Sequence, residues 1–234
     1  MTGAAARVLV TGAASGVGAA IVDGLLDLGA TVLAVDVVPV PATGRVGLAS
    51  QICDVRDRDL VTRVVDEFAE QGGLTGLVTS AAVYGRDVRL DDLRPDDVEH
   101  VLGVNVLGTL WVAQAAMPHL RRTSGSAVCV GSVAGRMGSV LAGAHYAASK
   151  GAIHALVHTL AKTEIGHGVR INGVAPGPVA TPMIEGRGYD TAMFPIGRYA
   201  DPGEVADAVL YLLSPRASYV TGTILDVNGG LYVR

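Results

Sequence analysis

Seven short apolar runs punctuate the chain, near 7–10, 31–35, 48–53, 76–80, 127–131, 170–175 and 223–227. Segments with helical spacing of their apolar residues lie between them, near 16–28, 57–70, 96–120, 145–166 and 202–213. Most of the runs are unbroken rather than alternating, which is the pattern of strands covered by helices on both faces. Alternation of this kind predicts an α/β fold: a doubly wound, mostly parallel sheet of about seven strands. No repeat, linker or charge block interrupts it, so residues 1–234 are expected to form a single domain. Pro39, Pro41 and Gly44 mark a surface loop after the second run. A longer irregular stretch, 176–202, holds several prolines and glycines, and its part near 182–201 is a candidate substrate lid.

Composition narrows the function classes. Half of the residues are hydrophobic, enough for a large core and too many for disorder. Glycine is abundant, 31 of 234 residues, but has no triplet period, which excludes a collagen-like chain. A net charge of −4 with only two lysines leaves no basic footprint, so no nucleic-acid partner is expected. Cys53 and Cys129 sit in apolar segments without a C-x-x-C pairing and read as buried thiols of a reducing, cytoplasmic compartment. The first residues run directly into a strand–turn pattern, with no signal-peptide core. The stretch 101–120 lacks Asp, Glu, Lys and Arg and is long enough to span a bilayer. Because it contains Gly103, Asn105, Gly108, Gln114 and Pro118, it reads instead as a helix buried between layers or subunits, with no membrane partner.

The first run leads into Thr11-Gly12-Ala13-Ala14-Ser15-Gly16-Val17-Gly18 and then a helix. Gly12 permits a sharp turn, Gly16 lets backbone approach a pyrophosphate, and Gly18 allows close helix packing. The free amides of Ser15, Gly16 and Val17 and the helix dipole favour an anion there. The spacing G-x-x-x-G-x-G differs from the common G-x-G-x-x-G dinucleotide fingerprint. Asp36 closes the second run, 18 positions beyond Gly18, near the distance at which an acid meets an adenosine ribose. Its carboxylate accepts bonds from ribose hydroxyls and repels a 2′-phosphate, and neither Ser15 nor Val37 supplies a cation. NAD is therefore the expected cofactor, in preference to its 2′-phosphorylated form.

Tyr146 and Lys150, in Tyr-Ala-Ala-Ser-Lys, stand at i and i+4 on one helical face. Ser132 follows the fifth run, where a doubly wound sheet presents its ligand crevice. In these residues the sequence resembles the short-chain dehydrogenase/reductase family in its classical subgroup. The matching segments are TGAASGVG at 11–18, Asp54-Val55, Asn105 in VNVLG, Gly131-Ser132, YAASK at 146–150, PGPVATP at 176–182 and YVTGTILDVNGG at 219–230. They keep their order over nearly the whole chain.

The resemblance implies a Rossmann fold and a set of roles. Tyr146 is expected as general acid for carbonyl reduction and base for alcohol oxidation. A free phenol has a pKa of about 10, so its anion needs stabilising; Lys150 and a positive nicotinamide are expected to supply that. Lys150 is also expected to hold nicotinamide-ribose hydroxyls, Ser132 to bond the reacting oxygen, and Asn105 to position a water in a proton relay. Asp54 and Val55 match the pair that borders adenine, and Ser80 and Ala81 offer backbone to adenosine. Val179 is expected to bond the carboxamide through its backbone, Thr181 to lie near the phosphates, and Pro176 and Gly177 to shape the turn beneath the nicotinamide. Two departures stand out. Thr79-Ser80-Ala81-Ala82 replaces the family's usual Asn-Asn-Ala-Gly, and Ser132 and Tyr146 are 14 positions apart, one more than in many members. The extra residue is expected in the loop 139–144.

Other residues read more plainly. His154 and His158 share a helical face but have no third ligand and no H-E-x-x-H pattern, so interface packing is expected and no metal site. His145 reads equally as facing the substrate pocket or solvent. Trp111 reads as core or interface, and Met137, Met183 and Met193 either as cleft lining or as ordinary packing. The helices near 101–120 and 145–166 carry apolar residues, among them Val101, Val106, Leu110, Ile153 and Leu160, beyond what one sheet face covers. That predicts a homo-oligomer, a tetramer or a dimer. The expected activity is hydride transfer between NAD(H) and a small secondary alcohol or ketone. The rival readings are a 3-oxoacyl-carrier-protein reductase and, from another class, a dinucleotide-sensing protein without turnover.

Overall fold

A computed structural model describes residues 6–41, 44–139 and 141–233. Seven strands form one parallel sheet: β1 (Arg7–Thr11), β2 (Thr31–Asp36), β3 (Leu48–Ile52), β4 (Gly76–Thr79), β5 (Ser126–Val130), β6 (Arg170–Pro176) and β7 (Ile224–Val227). Their order is β3-β2-β1-β4-β5-β6-β7. The direction of winding reverses between β1 and β4, and a sheet of this topology opens its crevice there, at the carboxyl ends of the strands.

Two helical layers explain the unbroken apolar runs. Val8 and Val10 face one side with α1 (Gly16–Asp27) and α7 (Pro202–Leu213), in a core that includes Ile21, Leu25, Val205 and Val209. Leu9, between them in sequence, faces the other side. There α2 (Arg58–Glu70), α4 (Thr109–Thr123) and α6 (Gly143–Glu164) pack around Phe68, Leu120, Ile153 and Val157. A strand with both faces buried needs apolar residues at every position. The edge strand β3 departs from this rule: Ala49, Ser50, Gln51 and Ile52 are exposed, because no helix covers that margin.

Helix starts follow local chemistry. The Asp57 carboxylate accepts from the Leu60 amide at 3.0 Å to begin α2. Asp201 and Glu204 form a capping box at the start of α7, with Pro202 at its first position. Ser15 precedes α1 but makes no side-chain cap, so the first amides of that helix are left for something else.

The expected helix at 96–120 is three pieces in one run: α3 (Pro95–Leu102), a π-helical turn (Gly103–Gly108) and α4. The period of the apolar residues does not reveal the π turn. The run packs closely there: a Cβ on Gly108 would lie 2.4 Å from Val55 Cγ2. Among the described residues this run is the one long and apolar enough to cross a membrane, and more than half of its most apolar window is buried in the fold. A short α5 (Ala134–Met137), unforeseen in the sequence, follows β5. Cys53 and Cys129 are free and buried.

Candidate active site

A cavity of about 450 Å³ opens at the carboxyl ends of the strands. Gly12, Ser15, Gly16, Val17 and Gly18 line one end of it, with Asp36 and Ser80. Gly12 and Gly16 have φ of +67° and +56°, a region that side chains disfavour. A Cβ on Gly12 would also lie 2.7 Å from the Ala81 backbone. Asp36 is fixed at the end of β2: one carboxylate oxygen accepts from the Ala14 amide at 2.9 Å, the other from Val38 at 3.3 Å. Thr11 Oγ1 accepts from the amides of Ser80 and Ala81 at 3.2 and 3.3 Å, tying the loop after β4 to the glycine turn. Where the family's asparagine would stand, the Thr79 hydroxyl is buried with no partner among the described residues.

At the other end Ser132, Tyr146 and Lys150 line the same cavity. Tyr146 and Lys150 come from α6, and Ser132 from the loop after β5. The Ser132 hydroxyl accepts from the Ala134 amide at 3.1 Å, which fixes its place at the start of α5. Burial pushes the Tyr146 phenol up to about 12, and the Ser132 hydroxyl beside it acts in the opposite direction. Burial also pulls the Lys150 ammonium down to about 8. Its Nζ donates to the Val130 carbonyl at 3.0 Å and lies 5.7 Å from the centre of the Tyr146 ring. In the protein alone, desolvation by burial is the largest influence on the Tyr146 phenol.

Pro176, Gly177, Val179 and Thr181, from the end of β6 and the loop beyond it, line the cavity as well. The Pro176 carbonyl accepts from Val133 at 2.8 Å, and the Gly177 amide donates to Val227 at 3.0 Å. Val179 pairs with Ala200 in an isolated parallel bridge, so the ends of the excursion 182–201 are joined. Pro182, Met183, Ile184, Tyr189, Met193 and Phe194 of that excursion face the cavity.

Some expected residues lie elsewhere. Asp54 turns to Arg56, whose guanidinium holds its carboxyl below the usual range, and Val55 is buried against Gly108; neither lines the cavity. Ala81 sits behind Gly12 rather than on the cavity wall. Asn105 is buried, and its side chain is fully engaged: Oδ1 accepts from Val83 at 2.8 Å, while Nδ2 donates to the Val83 carbonyl at 3.0 Å and Ser149 Oγ at 2.9 Å. It joins the loop after β4 to α6 and does not itself line the cavity.

The histidines also resolve differently. His154 is buried inside the chain against Gly131, and burial holds it down to about 4, whereas His158 is exposed, so His154 packs within the chain rather than at its surface. His145 meets neither the cavity nor solvent: it is packed beside Gly85 and Gly143, with both ring nitrogens lacking partners among the described residues. Among the described residues no cluster of three or more His, Cys, Asp or Glu forms a metal site. The extra residue expected within 139–144 adds to a loop in which Ser139, Leu141 and Ala142 line the cavity; Val140 lies outside the described residues.

Sequence reasoning missed Tyr84, Tyr189 and Leu231 as cavity residues. The signal for Tyr84 was its place in the segment that follows β4, at the strand end where the crevice opens. Its ring stacks on Tyr146, and its hydroxyl pairs with that of Tyr189. The Arg187 guanidinium covers the outer face of Tyr84, 4.0 Å from the ring centre.

The arrangement fits a dinucleotide. Uncapped first-turn amides of α1 offer donors for a pyrophosphate, and Asp36 offers a carboxylate beyond them for a pair of hydroxyls. A buried phenol, ammonium and hydroxyl then converge where a carbonyl or alcohol oxygen can be held.

Comparison with known proteins agrees with this geometry. The family profile described as enoyl-(acyl carrier protein) reductase matches residues 12–232. A 3-oxoacyl-[acyl-carrier-protein] reductase of Thermotoga maritima is 35% identical over 239 residues, covering 96% of this chain and 97% of its own. A galactitol 2-dehydrogenase (L-tagatose-forming) of Cereibacter sphaeroides is 36% identical over 242 residues, covering 96% and 94%. Among solved structures, a 3-oxoacyl-[acyl-carrier protein] reductase with bound NAD from Brucella melitensis superposes with a TM-score of 0.89 at 32% identity, covering 98% of this chain and 92% of that one.

Proposed function

The chain belongs to the short-chain dehydrogenase/reductase family, as an NAD(P)-dependent oxidoreductase of CH–OH groups, and from that premise we propose that it interconverts a secondary alcohol and a ketone with NAD(H), Tyr146 moving the proton. The observation that carries this reading is the convergence of Tyr146, Ser132 and Lys150 on the cavity that the glycine turn also lines. When bound, NAD(H) supplies or accepts the hydride. Ser132 donates a hydrogen bond to the substrate oxygen and orients it. Tyr146, a phenol and so protonated at neutral pH, gives its proton to that oxygen in reduction. Lys150 carries a positive charge below about pH 8 and favours the phenolate left behind. Asn105 acts one layer back: it positions Ser149 and the Val83 loop, and through them α6.

Asp36 supports NAD(H) over NADP(H), since a carboxylate at the end of β2 repels a 2′-phosphate and its neighbour Val37 supplies no cation. Ser15, Gly16, Val17 and Gly18 are the residues to hold the pyrophosphate, with Thr181 beside them, Pro176 and Gly177 beneath the nicotinamide and the Val179 backbone at its carboxamide. Partly exposed apolar residues on the π turn, α4 and α6, including Leu107, Leu110 and Leu156, support assembly through these helices into a tetramer or dimer. The buried free thiols support a reducing, cytoplasmic setting.

A second reading, reduction of a 3-oxoacyl carrier, draws on the Thermotoga maritima relative. A panel of ketones and acyl carriers, followed by nicotinamide absorbance with NADH and NADPH in parallel, separates the two. Faster turnover of free ketones with NADH favours the first; a requirement for a carrier thioester favours the second.

A further inference from the structure

Resting on that reading of the site, we infer that the substrate is apolar around its reacting carbon, an alkyl or aryl ketone or the corresponding alcohol, and that polyhydroxylated substrates are rejected. Met137, Leu141, Met193, Phe194 and Leu231 line the cavity with Tyr146, and Tyr84, Ala134, Ala142 and Ile184 pack around that tyrosine. Among the described residues, the charged side chains lining the whole cavity are Asp36 and Lys150. Asp36 lies at the glycine-turn end, and Lys150 is turned to the Val130 carbonyl.

The polar groups beside Tyr146 are few, and each already has a partner for part of its bonding capacity. The Tyr84 and Tyr189 hydroxyls bond each other, which spends one phenolic proton within the pair. The Tyr189 carbonyl accepts from Tyr199 Oη at 2.7 Å. Ser139 Oγ accepts from the Ala142 amide at 3.0 Å, and Ser132 Oγ from Ala134 at 3.1 Å. A ketone needs partners for one oxygen, and Ser132 and Tyr146 meet that need. A sugar alcohol brings a hydroxyl on every carbon, and each one buried without a partner costs free energy. A wall of this kind discriminates against one added hydroxyl by about 10²-fold. Two relatives of similar identity, a galactitol dehydrogenase and a 3-oxoacyl reductase, differ in this respect, and the lining sides with the less hydroxylated substrate.

The test compares 2-hexanol with galactitol, both of six carbons, by kcat/KM with NAD⁺ at saturation. Binding of 2-hexanone and of galactitol to the enzyme–dinucleotide complex is measured alongside by calorimetry. The expected result is a kcat/KM ratio of at least about 10² in favour of 2-hexanol, with binding of the ketone only. A ratio near one, a preference for galactitol, or a complex that binds galactitol and not the ketone overturns the inference. If neither alcohol is oxidised, ketone-selective binding upholds the apolar wall and the failure falls on the proposed reaction; binding of neither compound overturns the wall itself. Tyr189→Phe, which releases the Tyr84 hydroxyl toward the cavity, is expected to narrow the selectivity several-fold. Unchanged selectivity in that variant contradicts the part assigned to the tyrosine pair.

Discussion

The ring of Tyr84 lies on the ring of Tyr146, with centroids 4.6 Å apart and planes 27° from parallel. One tyrosine follows β4 and the other sits on α6, so the stack ties the proposed proton donor to a second strand end. The Tyr84 hydroxyl then reaches Tyr189, and the Arg187 guanidinium covers the outer face of the ring. Tyr146 is thereby held by a partner that also holds the segment over the cavity.

Removal of this stack is expected to cost rate more than cofactor affinity. Tyr84→Ala leaves Tyr146 free to shift, and a misplacement of about 1 Å lowers turnover by about 10²-fold. Tyr84→Phe keeps the ring and is expected to stay within a few-fold of the parent. Steady-state kcat for both variants, beside NADH binding by fluorescence, checks the contrast; equal loss in the two contradicts a role for the ring.

Much of this architecture was legible in the sequence, for reasons that differ by residue. Val8, Leu9 and Val10 must satisfy a helical layer on either side of one strand, and that leaves an unbroken apolar run. Gly12 and Gly16 carry backbone angles that reserve their positions for glycine. Tyr146 and Lys150 lie one helical turn apart, so their spacing alone places them together. What was not legible depends on groups distant in the chain. The Tyr84–Tyr189 pair spans 105 positions, and the engagement of Asn105 with Ser149 spans 44. The π turn at Gly103–Gly108, packed against Val55, leaves no mark in the local periodicity. His145 was read as facing cavity or solvent because its immediate neighbours do not show the Gly85 turn that covers it.

Asn105→Ala is expected to act first on stability. It leaves the Val83 amide and carbonyl without their Asn105 partners in a partly buried place, at about 1–3 kcal/mol for each group so stranded, while Ser149 keeps its bond to the Tyr146 carbonyl. Thermal denaturation should show a clear drop in Tm. An unchanged Tm with lost turnover would falsify the anchoring role and return Asn105 to the proton path.

Lys150→Met is expected to abolish turnover with little loss of stability. Burial lowers Lys150 to about 8, so the folded state binds its proton less tightly than the unfolded chain. That penalty is complete below about pH 8 and fades as pH rises toward the ordinary lysine value of about 10.4. Denaturation of parent and variant between these limits checks the sign: the parent should gain relative stability as pH rises. A parent that loses ground to the variant over that range contradicts it.

Activity should divide by direction with pH. Tyr146, raised to about 12, stays protonated through the neutral range, and reduction should be flat there and fall as Lys150 loses its charge above about pH 8. Alcohol oxidation needs the phenolate and should climb with pH across the alkaline range. Profiles of kcat/KM in both directions measure this; an oxidation rate that declines from pH 7 to 9 contradicts the assignment.

Asp36→Ala combined with Val37→Arg is expected to shift the cofactor preference toward NADP(H). The double change removes the carboxylate that repels a 2′-phosphate and adds a guanidinium that pairs with it. The ratio of kcat/KM for NADH and NADPH reads the shift directly. A ratio that does not move places ribose recognition elsewhere.

The central claim is that Tyr146 moves the proton, and Tyr146→Phe tests it most directly. The substitution keeps the ring, and with it the stack on Tyr84, and removes only the hydroxyl. Turnover of the best ketone from the panel should fall by about 10²–10⁴-fold, with NADH binding within a few-fold of the parent. Turnover retained within about tenfold of the parent, with NADH still bound, contradicts the account and assigns the proton to another group.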